Sequence, residues 1–232
     1  MNKYFSVAID GPAGAGKSTI ASTIARKFNC LNLDTGAMYR AAAIWLTERD
    51  VDVYDSEAVG RLAGEIDIDV KYVSGVQRVY VSGRDVTDEL RSDEISMLAS
   101  ACSKYPEIRS RLVDMQRQMA KDMRVVMDGR DIGTKVLPDA SVKIYLVASV
   151  EARAKRRLKQ LLEKGIDATY ERVLADMIKR DHDDSTREFS PLEKAQDAVA
   201  LDTTSLSLEQ SILRAIDIVA EKTGMTEAMC RE

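Results

Sequence analysis

Eight residues near the amino terminus, Gly11-Pro12-Ala13-Gly14-Ala15-Gly16-Lys17-Ser18, constrain this chain more than any other stretch. Glycine, four free positions, glycine, lysine and then serine or threonine is the spacing of a phosphate-binding loop, provided a strand precedes it and a helix follows. Phe5-Ser6-Val7-Ala8-Ile9 before it is an apolar run of strand type, and Thr19-Ile20-Ala21-Ser22-Thr23-Ile24-Ala25-Arg26-Lys27 after it reads as a helix. Glycines let successive backbone N–H groups turn into one concavity and allow close approach to phosphate oxygens. The helix N-terminus adds the positive end of its dipole. Gly11 through Thr19 are therefore expected to wrap the phosphates of a nucleoside triphosphate. Lys17 is expected at the β- and γ-phosphates, with the Ser18 hydroxyl as a Mg²⁺ ligand.

The remaining sequence limits what can surround this loop. At 232 residues the chain suits one α/β domain with insertions. Its 34 basic and 38 acidic residues give a net charge of -4, which argues against a general nucleic-acid binder and leaves room for a local basic site. The cysteines, Cys30, Cys102 and Cys230, have no metal-type spacing and are expected to be reduced thiols. The first apolar run stops at Ile9, so no signal peptide is expected, and no run approaches a bilayer-spanning length. A cytoplasmic monomer that handles small molecules, with no membrane or nucleic-acid partner, is the expectation.

Strand-type and helix-type patterns alternate along the chain. Strands are predicted at 4–9, 30–33, 124–127, 142–147 and 198–201. Helices are predicted at 17–28, 36–46, 106–122, 150–164, 169–180 and 207–222. Such alternation implies right-handed crossovers and a parallel five-stranded sheet flanked by helices. One segment departs from it. Ile66, Ile68, Val70 and Tyr72 alternate with Asp67, Asp69 and Lys71, and Ser74-Gly75 turns the chain into Val76-Gln77-Arg78-Val79-Tyr80-Val81. Antiparallel period-two strands do not belong in a parallel core, so 62–103 reads as an inserted small subdomain with a short helix from Asp93. On pattern alone that insertion is either ornamental or ligand-binding.

Three further clusters carry polar chemistry. Asp34-Thr35-Gly36-Ala37-Met38-Tyr39-Arg40 follows the second strand, where an open parallel sheet places ligands. Met127-Asp128-Gly129-Arg130-Asp131-Ile132-Gly133-Thr134 ends the third; Asp128 stands where P-loop enzymes keep an acid that orders Mg²⁺ and its waters. Arg153, Arg156 and Arg157 share a helix, and Arg180-Asp181-His182-Asp183-Asp184-Ser185-Thr186-Arg187 ends the next. Positioned arginines stabilise the charge of a transferring phosphoryl group, whereas a charged helix face can equally be solvated. Arg180 and Asp184 are four apart, either a donor and acceptor aimed at a base or a surface ion pair.

With these pieces in place the chain resembles the bacterial cytidylate kinases over nearly its whole length. The resemblance rests on residues 9–18, on 34–40 and 128–134, on Pro138-Asp139-Ala140 and on Leu201-Asp202-Thr203-Thr204. It implies a P-loop kinase core, 1–61 and 104–232, a monophosphate-binding subdomain, 62–103, and a short lid at about 151–168. It implies transfer of the ATP γ-phosphoryl group to CMP or dCMP with Mg²⁺, and catalytic roles for Lys17, Asp128, Arg153 and Arg157. Acceptor contacts carried over by position are Thr35, Tyr39, Arg40, Ser100, Arg109, Arg130, Asp131, Arg180, Asp184 and Arg187. Arg40, Arg109 and Arg130 would hold the acceptor phosphate; Ser100, Arg180 and Asp184 would read the cytosine edge. Asp131 and Arg187 would lie near the sugar and phosphates.

Competing readings are a P-loop kinase for another small acceptor, UMP or a non-nucleotide, and a nucleotide-dependent switch. Small-molecule kinases of the shikimate or gluconate type lack the hairpin insertion. A guanine-reading switch needs Asn/Thr-Lys-x-Asp, and Gly133-Thr134-Lys135-Val136-Leu137 lacks the final acid.

Overall fold

The computed structural model describes residues 5–73 and 75–225. Tyr4, Ser74 and Cys230, which enter the expectations above, lie outside them. The chain divides into two compact units, Met1–Asn32 with Asp122–Glu232, and Leu33–Lys121. The expected insertion, 62–103, falls wholly within the second.

The first unit is built on strand β1 (Ser6–Asp10). Helix α1 (Lys17–Lys27) follows the loop, and β2 (Leu31–Asp34) carries the chain from the first unit into the second. On its return the chain forms β6 (Val125–Gly129), β7 (Val142–Val147), α6 (Val150–Glu163), α7 (Tyr170–Thr186), β8 (Val199–Asp202) and α8 (Leu208–Thr223). The five-stranded sheet has the order β2-β6-β1-β7-β8. Strand β1 pairs in parallel with β6, Ile9 opposite Asp128, and with β7, Ile9 opposite Ile144; β7 pairs in parallel with β8. Central parallel strands are covered on both faces, which is why β1 and β6 are continuous apolar runs with almost no exposure.

Helices α1 and α8 fill one side. Ile20 and Ile24 of α1 and Ala215 and Val219 of α8 pack with Val7, Ile9 and Ile144 of the sheet. A helical spacing of four places each pair on one face of its helix. The hydroxyl of Ser207 caps α8 by accepting from Gln210 N, while the Gln210 side chain accepts from Ser207 N, a reciprocal capping box. Helices α6 and α7 hold a smaller cluster of their own, Ala154, Leu161, Val173 and Met177.

The second unit opens with α2 (Thr35–Thr47), capped by the Asp34 carboxylate, and continues with α3 (Ser56–Leu62). Its antiparallel sheet comprises β3 (Ile68–Val73), β4 (Val76–Val81) and β5 (Arg84–Asp85); α4 (Asp93–Cys102) and α5 (Pro106–Ala120) complete it. Ser82 and Gly83, both at positive φ, form the two-residue connection between β4 and β5, a combination that suits the right-handed twist of a hairpin. Val79 and Val81 point inward while their neighbours are half-exposed, the period-two pattern of a one-sided sheet.

Three elements differ from the sequence expectation. Helix α3 buries a single side chain, Val59, too few for a periodic signal. Strand β5 is two residues long and exists through its pairing with β4. Helix α7 runs on to Thr186 rather than ending at Arg180, although its last turns are acidic.

The passage from β1 into the loop is tight. Gly11 sits at φ +148°, and a Cβ there would lie 2.6 Å from Leu146 O, a backbone atom of β7. That atom is held by the sheet and cannot retreat, so Gly11→Ala is expected to lower stability by at least about 2 kcal/mol. Urea denaturation measures this; an unchanged midpoint would mean that the loop entry is looser than described.

Candidate active site

The site is best built outward from the end of β1. Gly16 stands at the N-terminus of α1 at φ +93° and offers no side-chain cap. The first N–H groups of that helix are thus the ones an anion can engage. Lys17 is buried, and its ammonium donates to Gly11 O at 2.8 Å and Pro12 O at 2.7 Å. Burial, joined by the charge of Arg130, holds the Lys17 pKa well below the ordinary lysine value, against the pull of Asp128 and Asp184. A polyphosphate at the loop would reverse that balance by supplying the missing negative charge.

The Ser18 hydroxyl donates to Asp128 Oδ2 at 2.7 Å, across 110 residues of sequence. The parallel register of β1 and β6 is what brings them together. A hydroxyl and a carboxylate form a hard oxygen pair of the kind Mg²⁺ takes, with substrate phosphates and water filling its other positions. Among the described residues no cluster of three or more His, Cys, Asp or Glu could hold a metal without such help.

Asp10, the last residue of β1, shapes the site's framework although no motif points to it. Its carboxylate accepts from Ile132 N at 2.8 Å and Gly133 N at 2.7 Å, within a π-type turn, Ile132–Val136. It thereby ties the end of β1 to the segment that carries Arg130 and Asp131. Burial raises the Asp10 pKa to about 6, opposed by the two N–H bonds.

Beyond β6, the Arg130 Nε donates to Asp184 Oδ2 at 2.7 Å, and Arg187 Nη1 lies 3.7 Å from Asp184 Oδ1. Asp184 is buried at 7% exposure, which removes the surface ion pair as an account of it. Burial acts to raise its pKa, but Arg130, Arg187 and Arg180 outweigh this and leave it below the usual carboxylate value. Asp131 is also buried, and its carbonyl accepts from Lys135 N at 2.8 Å. Arg153, at 3% exposure, donates from Nε to Ala148 O and from Nη1 to Ala13 O, both at 3.0 Å, and grips Asp181 with both Nη atoms. Arg156 bonds Thr203 O and Leu206 O beyond β8. Arg157 is half-buried on α6, and Arg180 half-buried on α7.

The second unit carries the other expected contacts. Thr35 is buried at the start of α2. Asp34 accepts from Ala37 N at 3.0 Å and from Arg40 Nη2 at 2.9 Å, so the helix cap also orients Arg40. Gln77, absent from the expected set, accepts from Asp34 N at 2.9 Å and so anchors that cap to β4. The buried Arg109 guanidinium lies 5.3 Å from the Tyr39 ring centroid and donates to Ser103 O at 3.1 Å. Ser100 is half-buried on α4. Thr35, Tyr39, Arg40, Ser100 and Arg109 thus belong to one unit, and Arg130, Asp131, Arg180, Asp184 and Arg187 to the other.

A parallel sheet whose central strand runs into such a loop, with a lysine, a serine and a neighbouring strand-end acid, defines a P-loop phosphotransferase. Comparison with known proteins gives the family. The family described as Cytidylate kinase matches residues 7–221. The chain is 46% identical to a cytidylate kinase of Caldicellulosiruptor bescii, covering 93% of this chain and 96% of that protein. It is likewise 46% identical to one of Bacillus subtilis (strain 168), covering 96% and 99%. The chain belongs to the cytidylate kinase family.

Asp10 generates a pH prediction. Its folded pKa, about 6, lies above its unfolded value, 3.8, so the folded state binds the extra proton between them. This group's contribution to stability is largest below the unfolded value and is lost as pH rises through the folded one. Asp10→Asn keeps the shape and removes the titration. The stability of the natural protein relative to Asp10→Asn should therefore rise as pH falls from 7.5 to 4.5, by about 2 kcal/mol. A gap independent of pH in urea titrations would mean that Asp10 is ionised throughout.

Proposed function

We propose that this chain transfers the γ-phosphoryl group of ATP to CMP or dCMP, giving CDP or dCDP. The observation that carries the reading is the family match from residue 7 to 221, spanning both units, together with Ser18 and Asp128 at 2.7 Å beside the loop. Incubation with ATP, Mg²⁺ and each nucleoside monophosphate tests it. Rapid formation of CDP and dCDP, with slower turnover of UMP, is expected; a preference for AMP, GMP or a non-nucleotide acceptor would overturn it.

The donor side rests on residues 11–19. Their backbone N–H groups hold the phosphates, and Lys17 exchanges its hold on the loop carbonyls for the β- and γ-phosphate oxygens. Ser18 would hold Mg²⁺, with Asp128 beside it to order the ion and its waters, and the ion would supply positive charge to the phosphates. The acceptor phosphate is already a nucleophile near neutral pH, so positioning and charge neutralisation carry the reaction and no general base is assigned. Arg40, Arg109 and Arg130 hold the acceptor phosphate, Thr35 and Tyr39 supply hydroxyls near it, and Ser100, Arg180 and Asp184 read the cytosine edge. Asp131 and Arg187 take the sugar side. The subdomain at 62–103 and a lid at about 151–168 exclude water, which would otherwise compete as acceptor. Arg153 and Arg157, on the lid helix, stabilise the charge of the transferring group.

Two measurements bear on these roles. Lys17→Ala should keep the fold and lose activity by a factor of about a thousand or more, as expected for a group that neutralises transition-state charge; near-normal turnover in a folded variant would remove the donor assignment. Asp184→Ala should raise KM for CMP far more than for UMP, because a site built for the 4-amino donor discriminates by leaving buried groups unpaired. A CMP:UMP preference at its natural value would move Asp184 out of base recognition and leave it as the structural partner of Arg130.

A further inference from the structure

The last turns of α7 run against ordinary helix electrostatics. Asp181, Asp183 and Asp184 fall within its final six residues, Asp181 to Thr186, where the negative end of the helix dipole disfavours carboxylates. Two of the three are compensated by cations from outside the helix. Asp184 has Arg130, and Asp181 has Arg153. The Asp184 pair joins two residues already assigned to the acceptor. The Asp181 pair has no such role, and yet its geometry is the more specific of the two.

Arg153 commits four of its five N–H groups, and each partner belongs to a different element. Nε holds Ala148 O, just before α6; Nη1 holds Ala13 O in the phosphate loop; and both Nη atoms hold the Asp181 carboxylate on α7. A second contact runs alongside the first. A Cβ at Gly14, at φ +72°, would meet Met177 Cε at 3.0 Å and Arg153 Cβ at 3.6 Å, so α7 and Arg153 both close upon the apex of the loop. Met177 is one helical turn before Asp181, on the same face. Arg180 and Asp184 stand one residue before and three residues after Asp181.

From this constellation we infer that Asp181 is a positioning residue for phosphoryl transfer. Its bidentate grip aims Arg153 at the phosphate loop, and through Arg153 it fixes the end of α7 that carries Arg180 and Asp184. The inference rests on the kinase reading above, and it assigns Asp181 a role without contact to either nucleotide. A bidentate guanidinium–carboxylate pair fixes orientation as well as distance, which a single hydrogen bond does not. Small misplacements matter here, because a shift of about 1 Å caused by a remote change can cost about a hundredfold in rate.

Kinetics of Asp181→Asn with ATP and CMP test it, at a temperature well below the melting point of every variant. Asparagine keeps the size, removes the charge and sets an NH₂ donor where the second acceptor oxygen stood. The expected result is a kcat lower by about ten- to a hundredfold, with KM for CMP raised severalfold because Arg180 and Asp184 share the displaced helix end. Arg153→Lys alone should lower kcat comparably, and the double variant should be no slower than Arg153→Lys, since Asp181 acts only through Arg153. Asp181→Glu serves as the second variant: it keeps the charge, should melt close to the natural protein, and should still lower kcat because the longer arm displaces the bidentate pair. Natural kcat and KM in Asp181→Asn, natural kcat in a stably folded Asp181→Glu, or rate losses that multiply in the double variant would each overturn the proposal. The kinase reading itself is checked separately by CDP formation in the natural protein.

Discussion

The parallel register of β1 against β6 is the constraint from which the rest of the site follows. With Ile9 opposite Asp128, the carboxyl ends of two strands more than a hundred residues apart finish side by side. Ser18, the second residue of α1, then meets Asp128, the last residue but one of β6. No local propensity achieves this. It depends on two apolar runs that are buried on both faces and so pair without a solvent-facing side, and a one-residue slip would turn Asp128 to the opposite face of the sheet.

Around that register the protein spends buried charge freely. Asp10, Lys17, Asp128, Asp131, Arg153 and Asp184 are all buried, a costly arrangement unless each group is paired or hydrogen-bonded. The partners differ in kind. Asp10 is held by backbone N–H groups, Arg153 by carbonyls and one carboxylate, and Asp184 by guanidinium groups. Lys17 is the exception in sign: its ammonium rests on carbonyl oxygens and its proton affinity is depressed. A site that leaves its cation short of negative charge is prepared for an anion, which fits a loop that receives a triphosphate.

Much of this was legible before any coordinates. The loop announces itself by spacing, and the alternation of strand and helix patterns yields a parallel five-stranded sheet with a separate antiparallel one, as observed. What escaped had physical reasons. Asp10 looks like the ordinary end of a strand, and its meaning lies in two N–H groups 122 and 123 residues away. Asp181 sits in a run of acids that reads as a helix stop; Arg153 and Arg130, both from outside α7, offset the charge of Asp181 and Asp184 in the turns that continue to Thr186. Gln77 lies on the face of β4 that buries Val79 and Val81 but is itself only half-buried, and as a lone polar residue near the strand's start it gives no pattern signal that it fastens the cap of α2. In each case the deciding partner is remote in sequence, and periodicity carries no trace of it.

The central claim is that the resting contacts of Lys17 and Ser18 are placeholders for phosphate and metal. A crystal structure of the complex with Mg²⁺ and a non-hydrolysable ATP analogue examines it most directly. The account predicts that the Lys17 ammonium leaves Gly11 O and Pro12 O for β- and γ-phosphate oxygens, while the Ser18 hydroxyl binds the metal and Asp128 stays beside it. A bound analogue with Lys17 still on the loop carbonyls, or with the metal held away from Ser18, would contradict it.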